Sequence, residues 1–503
     1  MKKYFIIAGL LFNFVLFCSF FAGRENQYYE QEKRIDELLS RMNLDEKIGQ
    51  LIQIVGMDQS KENLIRQGKA GSVLMGMPGV EEINRLQKIA VEETRLGIPL
   101  LFANDIIHGC HTIFPIPLAG ASSWNPDLVT EACRIAAFES ASEGTRWTYA
   151  PMVDIARDPR WGRIMEGAGE DPYLGSVFAA AEVKGFQGNS LKDFASIAAC
   201  AKHYVAYGGA EGGREYNTVD ISERTLREVY LVPFHSAVNN NVSSIMSSFN
   251  DLDGIPASAN YHTLTGILRN EWNWDGVVIS DFNAIGEIIN HRFAKNKREA
   301  ALKSFKAGVD IDMVGDTIVG NVYAPNLKQL VEAGYISEDE INKSVHHVLL
   351  LKFKLGLFEH PYTDIDFFHK NNLSQNYKDS IALRLAEESI ILLKNENHLL
   401  PLGKKIKRVA LIGPLADNNS DPMGVWAGAG KPEDVITVYQ GFKNLLNGKV
   451  EIELVKGCNF NDFDSSGFND AITTTKKSDV VIMVVGEEKE MSGEASSKTD
   501  LNL

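Results

Sequence analysis

Eight short apolar runs, separated by longer amphipathic segments, constrain the fold of this sequence more than any other feature. Each run is four to eight residues long and apolar on both faces, which is typical of parallel strands covered by helices. The runs begin at Gln50, Gly71, Pro99, Trp147, Ser196, Ser243, Gly276 and Gly308. Eight strands alternating with helices predict an α/β protein built on a (β/α)8 barrel with loop insertions. An open doubly wound sheet, with its ligand at a reversal of strand order, is the alternative.

The 503-residue chain is longer than one hydrophobic core usually supports, so more than one domain is expected. At the N-terminus, Lys2 and Lys3 precede an apolar run and then small residues near Ala22. This pattern predicts a signal peptide over residues 1–23 and a periplasmic or secreted protein. An uncleaved membrane anchor is the alternative, and Cys18 is a further candidate for a lipid anchor.

The remaining sequence divides into three segments. Residues 24–358 form the predicted barrel, and residues 359–380, which are polar and aromatic without a clear period, are interpreted as a linker. Residues 381–503 predict an incomplete α/β sandwich domain, with a helix and a strand in "ALRLAEESIILLKN" and parallel strands starting near Arg408 and Ser478. Because the sequence stops soon after the last of these strands, we expect a truncated chain.

Composition and motifs exclude several classes of function. The net charge of −15 argues against nucleic acid or an anionic membrane surface as partner, and is neutral about uncharged sugars. The cysteines after residue 23 have no CxxC spacing, and His108 and His111 in "HGCH" lack a third ligand nearby. We therefore expect neither a metal site nor a cofactor.

Polar residues follow several of the predicted strands. In a barrel of this kind, functional side chains lie at the carboxyl ends of the strands. Asp105, the adjacent Lys202 and His203, Asn250, and Asp281 at the end of "GVVISDF" all occupy such positions. The sequence therefore predicts that these five side chains share the active face of the barrel.

Two carboxylates suit the hydrolysis of glycosides. Asp281 ends a rigid strand, whereas Glu494 lies in the Gly/Ser-containing segment "EKEMSGEASSKTD". A retaining glycosidase needs one carboxylate that attacks the anomeric carbon and another that protonates the leaving oxygen and later activates water. The alternatives are a helix cap for Asp281 and a solvated surface position for Glu494.

Four further side chains suit a sugar ring. Lys202 and His203 can donate hydrogen bonds to hydroxyl groups, and Asp105 can accept a pair of them. Arg163 can donate to the same ring or fix the carboxylates. An internal salt bridge is the alternative reading for each of these residues.

Several long segments resemble glycoside hydrolase family 3, and closely its exported bacterial β-glucosidases. They are "LLFANDIIHG", "YAPMVDIARDPRWGRIMEGAGEDPYL", "AACAKHYVAYGG", "GVVISDF" and "VVGEEKEMSGEASSKTDLNL". The resemblance implies that Asp281 is the nucleophile and Glu494 the general acid/base. It also implies that sugar contacts come from the residues matching the family motifs, namely Asp105, Arg163, Lys202 and His203.

Two positions depart from the family pattern. Phe249 stands where many members carry tyrosine, and Phe282 stands where many carry tryptophan, so both keep an aromatic wall for the substrate. The implied activity is that of a retaining, exo-acting β-glucosidase on terminal β-D-glucosyl residues, with a β-glucoside or β-gluco-oligosaccharide as partner. β-Xylosidase or mixed activity, and a truncated chain that binds sugar without turnover, are the alternatives.

Overall fold

In the computed structural model, which describes residues 29–314, 321–460 and 464–502, a parallel barrel is followed by a smaller parallel sheet. The predicted signal peptide and Cys18 lie outside the described residues. The strands are β1 (Ile52–Val55), β2 (Ser72–Leu74), β3 (Leu101–Asn104), β4 (Trp147–Thr148), β5 (Cys200–Tyr204), β6 (Ser244–Ser247), β7 (Asp251–Leu252), β8 (Ile255–Pro256), β9 (Val277–Ser280), β10 (Asp312–Val314), β11 (Arg408–Ile412), β12 (Glu451–Val455) and β13 (Val480–Met483).

Helices fill most of the connections between these strands. They are α1 (residues 29–41), α2 (Leu44–Gln50), α3 (Gln59–Arg66), α4 (Val80–Glu92), α5 (Pro117–Ser122), α6 (Pro126–Ser142), α7 (Pro172–Gln187), α8 (Glu223–Thr225), α9 (Leu231–Asn239), α10 (Ala284–Glu287), α11 (Lys297–Ala307), α12 (Tyr323–Glu332), α13 (Glu338–Lys354), α14 (Ile365–Lys370), α15 (Gln375–Glu388), α16 (Val438–Leu446) and α17 (Phe468–Lys477). Two π-helical segments, Leu226–Tyr230 and His262–Glu271, complete the helical part. No helix among the described residues is long and apolar enough to cross a lipid bilayer.

The barrel closes through parallel pairing alone. β10, β1, β2, β3 and β4 form one sheet in that order, and β5, β6 and β9 form another. Parallel bridges from Trp147 to Ala198 and from Ile279 to Ile311 join the two sheets into a ring. Each of the eight predicted apolar runs contains one barrel strand, so the prediction of a (β/α)8 barrel is confirmed.

Sequence signals set the helix boundaries around this barrel. The Asn125 side chain accepts a hydrogen bond from the Leu128 N–H and caps the N-terminus of α6. Pro126 follows as the first helical residue, where its missing backbone N–H would have no partner within the helix. The Ser222 side chain accepts a hydrogen bond from Thr225 N at 3.1 Å, so it caps α8. In β9, the consecutive residues Val277, Val278 and Ile279 are all fully buried. Both faces of this strand are therefore covered, which is why its sequence is apolar without alternation.

The segment interpreted as a linker is more structured than the sequence suggested. Residues 359–380 contain α14 and the start of α15, and the Phe368 ring packs edge-on against Phe138 of α6 at 5.2 Å. Ile381 and Leu385 of α15 are also buried in the barrel core cluster. The expected strand in "IILLKN" is wrong, because residues 390–395 follow α15 as irregular, mostly exposed chain.

The second α/β domain contains a three-stranded parallel sheet in the order β12–β11–β13. Its central strand is buried, and α17 packs against it. Loops from this domain contact the loop after β3: Val425 O lies 2.7 Å from His108 Nε2, and Ala429 N donates to Cys110 O at 2.8 Å. The second domain is therefore fastened to the carboxyl-terminal face of the barrel, where functional residues are expected.

Candidate active site

Asp281 follows β9 directly and is buried at the end of the strand. Its backbone N–H donates to Ser247 O on the neighbouring strand β6, and its Oδ1 accepts from Phe282 N at 2.6 Å. Its Oδ2 has no hydrogen-bond partner in the described chain. Because α10 receives no side-chain cap from it, Asp281 is not the helix cap considered above. It is a fixed carboxyl with one free oxygen.

The charge environment of Asp281 makes its ionisation sensitive to its neighbours. Burial raises the pKa of Asp281 to about 7, and the negative charge of Glu494 acts in the same direction. Arg163 and Lys202 oppose both effects, since a nearby cation favours the carboxylate. Carboxyl groups from the barrel and from the second domain are therefore close enough to influence each other directly.

Lys202 and His203 are the third and fourth of the five residues of β5. The Lys202 Nζ donates to Asp105 Oδ1 at 2.8 Å, and it also lies 5.6 Å from the Trp426 ring centre. Burial opposes the charge on Lys202, but the Asp105 carboxylate outweighs it, so its pKa is raised and the ammonium persists. The structure thus places the Asp105 and Lys202 side chains in direct contact.

The His203 ring is held between two carboxyl groups. Its Nδ1 lies 2.8 Å from Asp154 Oδ2, and its Nε2 lies 3.5 Å from Asp281 Oδ2. Burial, followed by the charges of Arg163 and Lys202, lowers the pKa of His203 well below its usual value. The imidazole is therefore neutral, and Asp154 fixes the orientation in which it faces Asp281.

Arg163 is a buried cation that connects the two halves of the site. Its Nε and Nη2 donate to the two carboxylate oxygens of Glu166 at 2.8 and 2.9 Å, and its Nη1 lies 3.8 Å from Glu494 Oε1. Burial of Glu166 would favour its neutral form, but the Arg163 charge prevails and lowers its pKa. This two-pronged ion pair fixes the guanidinium plane so that its remaining edge faces Glu494.

The segment that carries Glu494 is bound to the barrel through its backbone. Gly493 N donates to Gly162 O at 2.6 Å, and Gly162 N donates to Ser496 O at 3.1 Å. Lys498 N donates to Arg160 O at 2.9 Å, which extends the same antiparallel contact. Glu494 is therefore not a freely solvated surface residue, because the residues on both sides of it are paired with a barrel loop.

The two phenylalanines have different surroundings. Phe282 is 46% exposed beside Asp281, as expected for an aromatic wall open to a ligand. Phe249 is only 5% exposed, and its ring meets Tyr216 edge-on at 4.9 Å and Tyr207 at 6.0 Å. Phe249 therefore supports neighbouring aromatic rings more than it lines open space.

Sequence reasoning missed four residues that shape this site: Asp154, Glu166, Glu215 and Tyr216. Glu166 and Asp154 lie within the motif around Arg163, but nothing in their spacing identifies which side chain they would hold. The signal available for Tyr216 was its place in the polar loop after β5.

The described residues contain no group of three or more His, Cys, Asp or Glu side chains suited to a metal ion. Both ring nitrogens of His108 face backbone carbonyl oxygens, those of Phe114 and Val425.

This arrangement combines a fixed carboxyl at the end of a strand, a second carboxyl on a segment from another domain, and buried cations near them. Such a pair is what displacement at an acetal carbon requires, since one oxygen attacks while another transfers a proton.

Comparisons with known proteins agree with the geometry. Residues 43–351 match the Glycosyl hydrolase family 3 N terminal domain, and residues 390–503 match the Glycosyl hydrolase family 3 C-terminal domain. The chain belongs to glycosyl hydrolase family 3.

Relatives with curated descriptions include the periplasmic beta-glucosidase of Salmonella typhimurium, 37% identical over 93% of this chain and 64% of that protein. A beta-xylosidase of Formosa agariphila is 34% identical over 95% of this chain and 64% of its own length. The chain thus spans about 64% of the length of these relatives. The crystal structure of beta-glucosidase from Listeria innocua in complex with glucose superposes with a TM-score of 0.85, at 38% identity, over 93% of this chain and 66% of that one.

Proposed function

We propose that this chain is a retaining, exo-acting β-glucosidase that hydrolyses terminal non-reducing β-D-glucosyl residues of β-glucosides or β-gluco-oligosaccharides. We further propose that it acts in the periplasm or outside the cell. Similarity to the periplasmic Salmonella enzyme and the predicted signal peptide support the location. Similarity to the Listeria enzyme, which has been crystallised with glucose and, as a mutant, with laminaribiose, supports the substrate class.

One observation carries the proposal: a carboxyl group from each domain reaches the same site. Asp281 lies 3.5 Å from His203, Glu494 lies 3.8 Å from Arg163, and the charge of Glu494 raises the pKa of Asp281. The retaining route needs the two carboxyl groups about 5–5.5 Å apart, so that one can attack while the other protonates. Mutual electrostatic influence of this kind fits such a separation.

In the first step, Asp281 attacks the anomeric carbon and forms a covalent glycosyl-enzyme. The bond from this carbon to the glycosidic oxygen breaks, and Glu494 gives its proton to the departing oxygen. The free Oδ2 of Asp281 is the oxygen available for attack, because Oδ1 already accepts the Phe282 N–H. The buried cations Arg163 and Lys202 favour the ionised form that attacks.

In the second step, Glu494 accepts a proton from water, and the water oxygen displaces Asp281 from the anomeric carbon. Two inversions at one carbon return the β configuration. Asp105, Lys202, His203 and Arg163 hold the terminal sugar through its hydroxyl groups, and Phe282 provides an apolar wall at the exposed side.

A second candidate, β-xylosidase activity, is favoured by the similarity to the Formosa beta-xylosidase. Xylose lacks the hydroxymethyl group of glucose, so the fit around that single group decides between the two substrates. A pocket that distinguishes two substrates by one small group typically changes kcat/KM by about 10- to 200-fold.

A panel of aryl β-glycosides tests the assignment. We expect kcat/KM to be highest for the glucoside, with the xyloside second, and nuclear magnetic resonance of the first product from a β-glucoside to detect β-glucose before mutarotation. α-Glucose as first product would contradict the retaining mechanism. Absence of turnover with every glycoside, despite binding of glucose, would favour the inactive sugar-binding alternative instead.

A further inference from the structure

We propose that Tyr216 is a positioning residue that fixes Glu494, so that the proton it transfers is carried on Oε2. This inference rests on the proposed function and adds a residue to it. The Tyr216 hydroxyl donates a hydrogen bond to Glu494 Oε1 at 2.8 Å. The barrel thus contributes a direct contact to the carboxyl group that arrives from the second domain.

The Tyr216 ring has little freedom, because other aromatic rings surround it. Phe249 meets it edge-on at 4.9 Å and 81°, and Tyr207 lies parallel to it at 6.5 Å and 24°. Such edge-on and offset parallel arrangements are the favoured geometries of aromatic pairs. The phenylalanine at position 249 therefore serves the site by fixing a neighbouring tyrosine.

The residue before it anchors the backbone of Tyr216. The buried Glu215 carboxylate accepts hydrogen bonds from the Trp161 indole N–H and the Tyr207 hydroxyl. The Glu215 backbone N–H donates to Ser497 Oγ at 2.9 Å, which lies three residues beyond Glu494. The loop that carries Tyr216 is consequently attached both to the barrel and to the Glu494 segment.

The backbone pairing of residues 493–498 with residues 160–163 fixes the main chain around Glu494 but leaves its side chain free to rotate. Glu494 remains partly exposed, with 30% of its side chain accessible. Two contacts then restrict it, and both involve the same oxygen: Oε1 accepts from Tyr216 and lies 3.8 Å from Arg163 Nη1. Because Oε1 faces a hydroxyl donor and a cation, the acidic proton belongs on Oε2.

This assignment balances in both half-reactions. When the glycosidic bond breaks, the Oε2 proton passes to the leaving oxygen, and Glu494 becomes a carboxylate that Tyr216 stabilises through Oε1. When water attacks, Oε2 regains a proton, and Tyr216 keeps its own proton throughout. Tyr216 therefore acts only through Glu494, and its importance depends on how strongly each step needs proton transfer.

The test compares substrates that do and do not need an acid. In Tyr216→Phe, kcat/KM for an unactivated substrate such as methyl β-glucoside should fall about 10-fold or more, a fraction of what general acid catalysis contributes. For 2,4-dinitrophenyl β-glucoside, whose leaving group needs no proton, kcat/KM should stay within about threefold of the native value. For this activated substrate, the kcat and KM of Tyr216→Phe should fall together. The second step still needs Glu494 as base, so it becomes slower than the first and the glycosyl-enzyme intermediate accumulates.

A matched control is Tyr173→Phe, which removes a hydroxyl from an exposed tyrosine at the start of α7 that makes no hydrogen bond within the described residues. All kinetic constants of this control should equal those of the native chain. Thermal unfolding of both variants should match the native chain, since the ring contacts remain.

Each other outcome overturns the inference. Equal losses in kcat/KM on both substrates would indicate a structural role for Tyr216, and unchanged kinetics on both would show that the contact has no function. If the native chain fails to hydrolyse even the activated glucoside, the proposed function fails and this inference falls with it. If the native chain is active but the substrates do not separate in Tyr216→Phe, the inference alone is wrong.

Discussion

Replacing Glu494 by glutamine isolates the electrostatic coupling between the two domains. Burial and the Glu494 charge together raise the pKa of Asp281 to about 7, and the nucleophile must be ionised to attack. Activity should therefore fall as the pH drops through about 7 in the native chain. In Glu494→Gln, one raising influence disappears while Arg163 and Lys202 remain, so the pKa of Asp281 should fall.

The size of this change follows from the separation that the mechanism requires. Two unit charges about 5.5 Å apart in an effective dielectric constant of about 20 repel each other by about 3 kcal/mol. Since 1.4 kcal/mol corresponds to about one pKa unit, this repulsion sets an upper limit of about two units. The acidic limb of kcat/KM should consequently move from near pH 7 to between about pH 5 and 6.

The assay uses 2,4-dinitrophenyl β-glucoside between pH 4.5 and 9, because its leaving group needs no acid and kcat/KM then reports the attack by Asp281. Glu490→Gln is the matched control: it removes a charge from the same segment, at a side chain that is 74% exposed and lies beside Lys489. Its acidic limb should stay where the native one lies. An unchanged or upward-shifted limb in Glu494→Gln would refute the reasoning, because Glu494 would then not act on Asp281.

Three other substitutions probe the remaining parts of the site. Asp281→Ala should lower kcat by about 10⁴-fold or more while the chain still folds, because the hydrogen bond that its Oδ1 accepts comes from the adjacent Phe282 N–H; near-native turnover of an aryl glucoside would disprove the nucleophile assignment. Lys202→Met should raise KM and shift the acidic limb upward, since a cation that lowers the pKa of Asp281 is removed; a downward shift would contradict this. Gly162→Ala should reduce turnover of unactivated glucosides about 100-fold, because its Cβ would collide with the Ser496 carbonyl and displace Glu494. Gly441→Ala, where a Cβ meets no atom within 4 Å, should leave activity unchanged. Equal effects of the two glycine variants would argue that the backbone pairing of residues 493–498 with residues 160–163 does not position Glu494.

The barrel was predictable because its signals are local. Each strand is a short run apolar on both faces, and Asp105, Lys202, His203 and Asp281 mark strand ends by their position in the sequence alone. Residues 359–395 were less predictable, because α14 and α15 are stabilised by packing against α6 rather than by a strong period of their own. The apolar residues after α15 resemble a strand in composition, but no strand among the described residues pairs with them.

By itself, the sequence determined which residue types end the strands, which long motifs surround them, and hence the family of this protein. Only the tertiary structure decided that Arg163 is fixed by Glu166, that His203 is held by Asp154, and that Tyr216 reaches Glu494. The physical reason is that these contacts join segments far apart in the chain or side chains whose direction depends on packing. A carboxylate gains its chemical role from burial and neighbouring charges, and both exist only once the second domain closes over the end of the barrel.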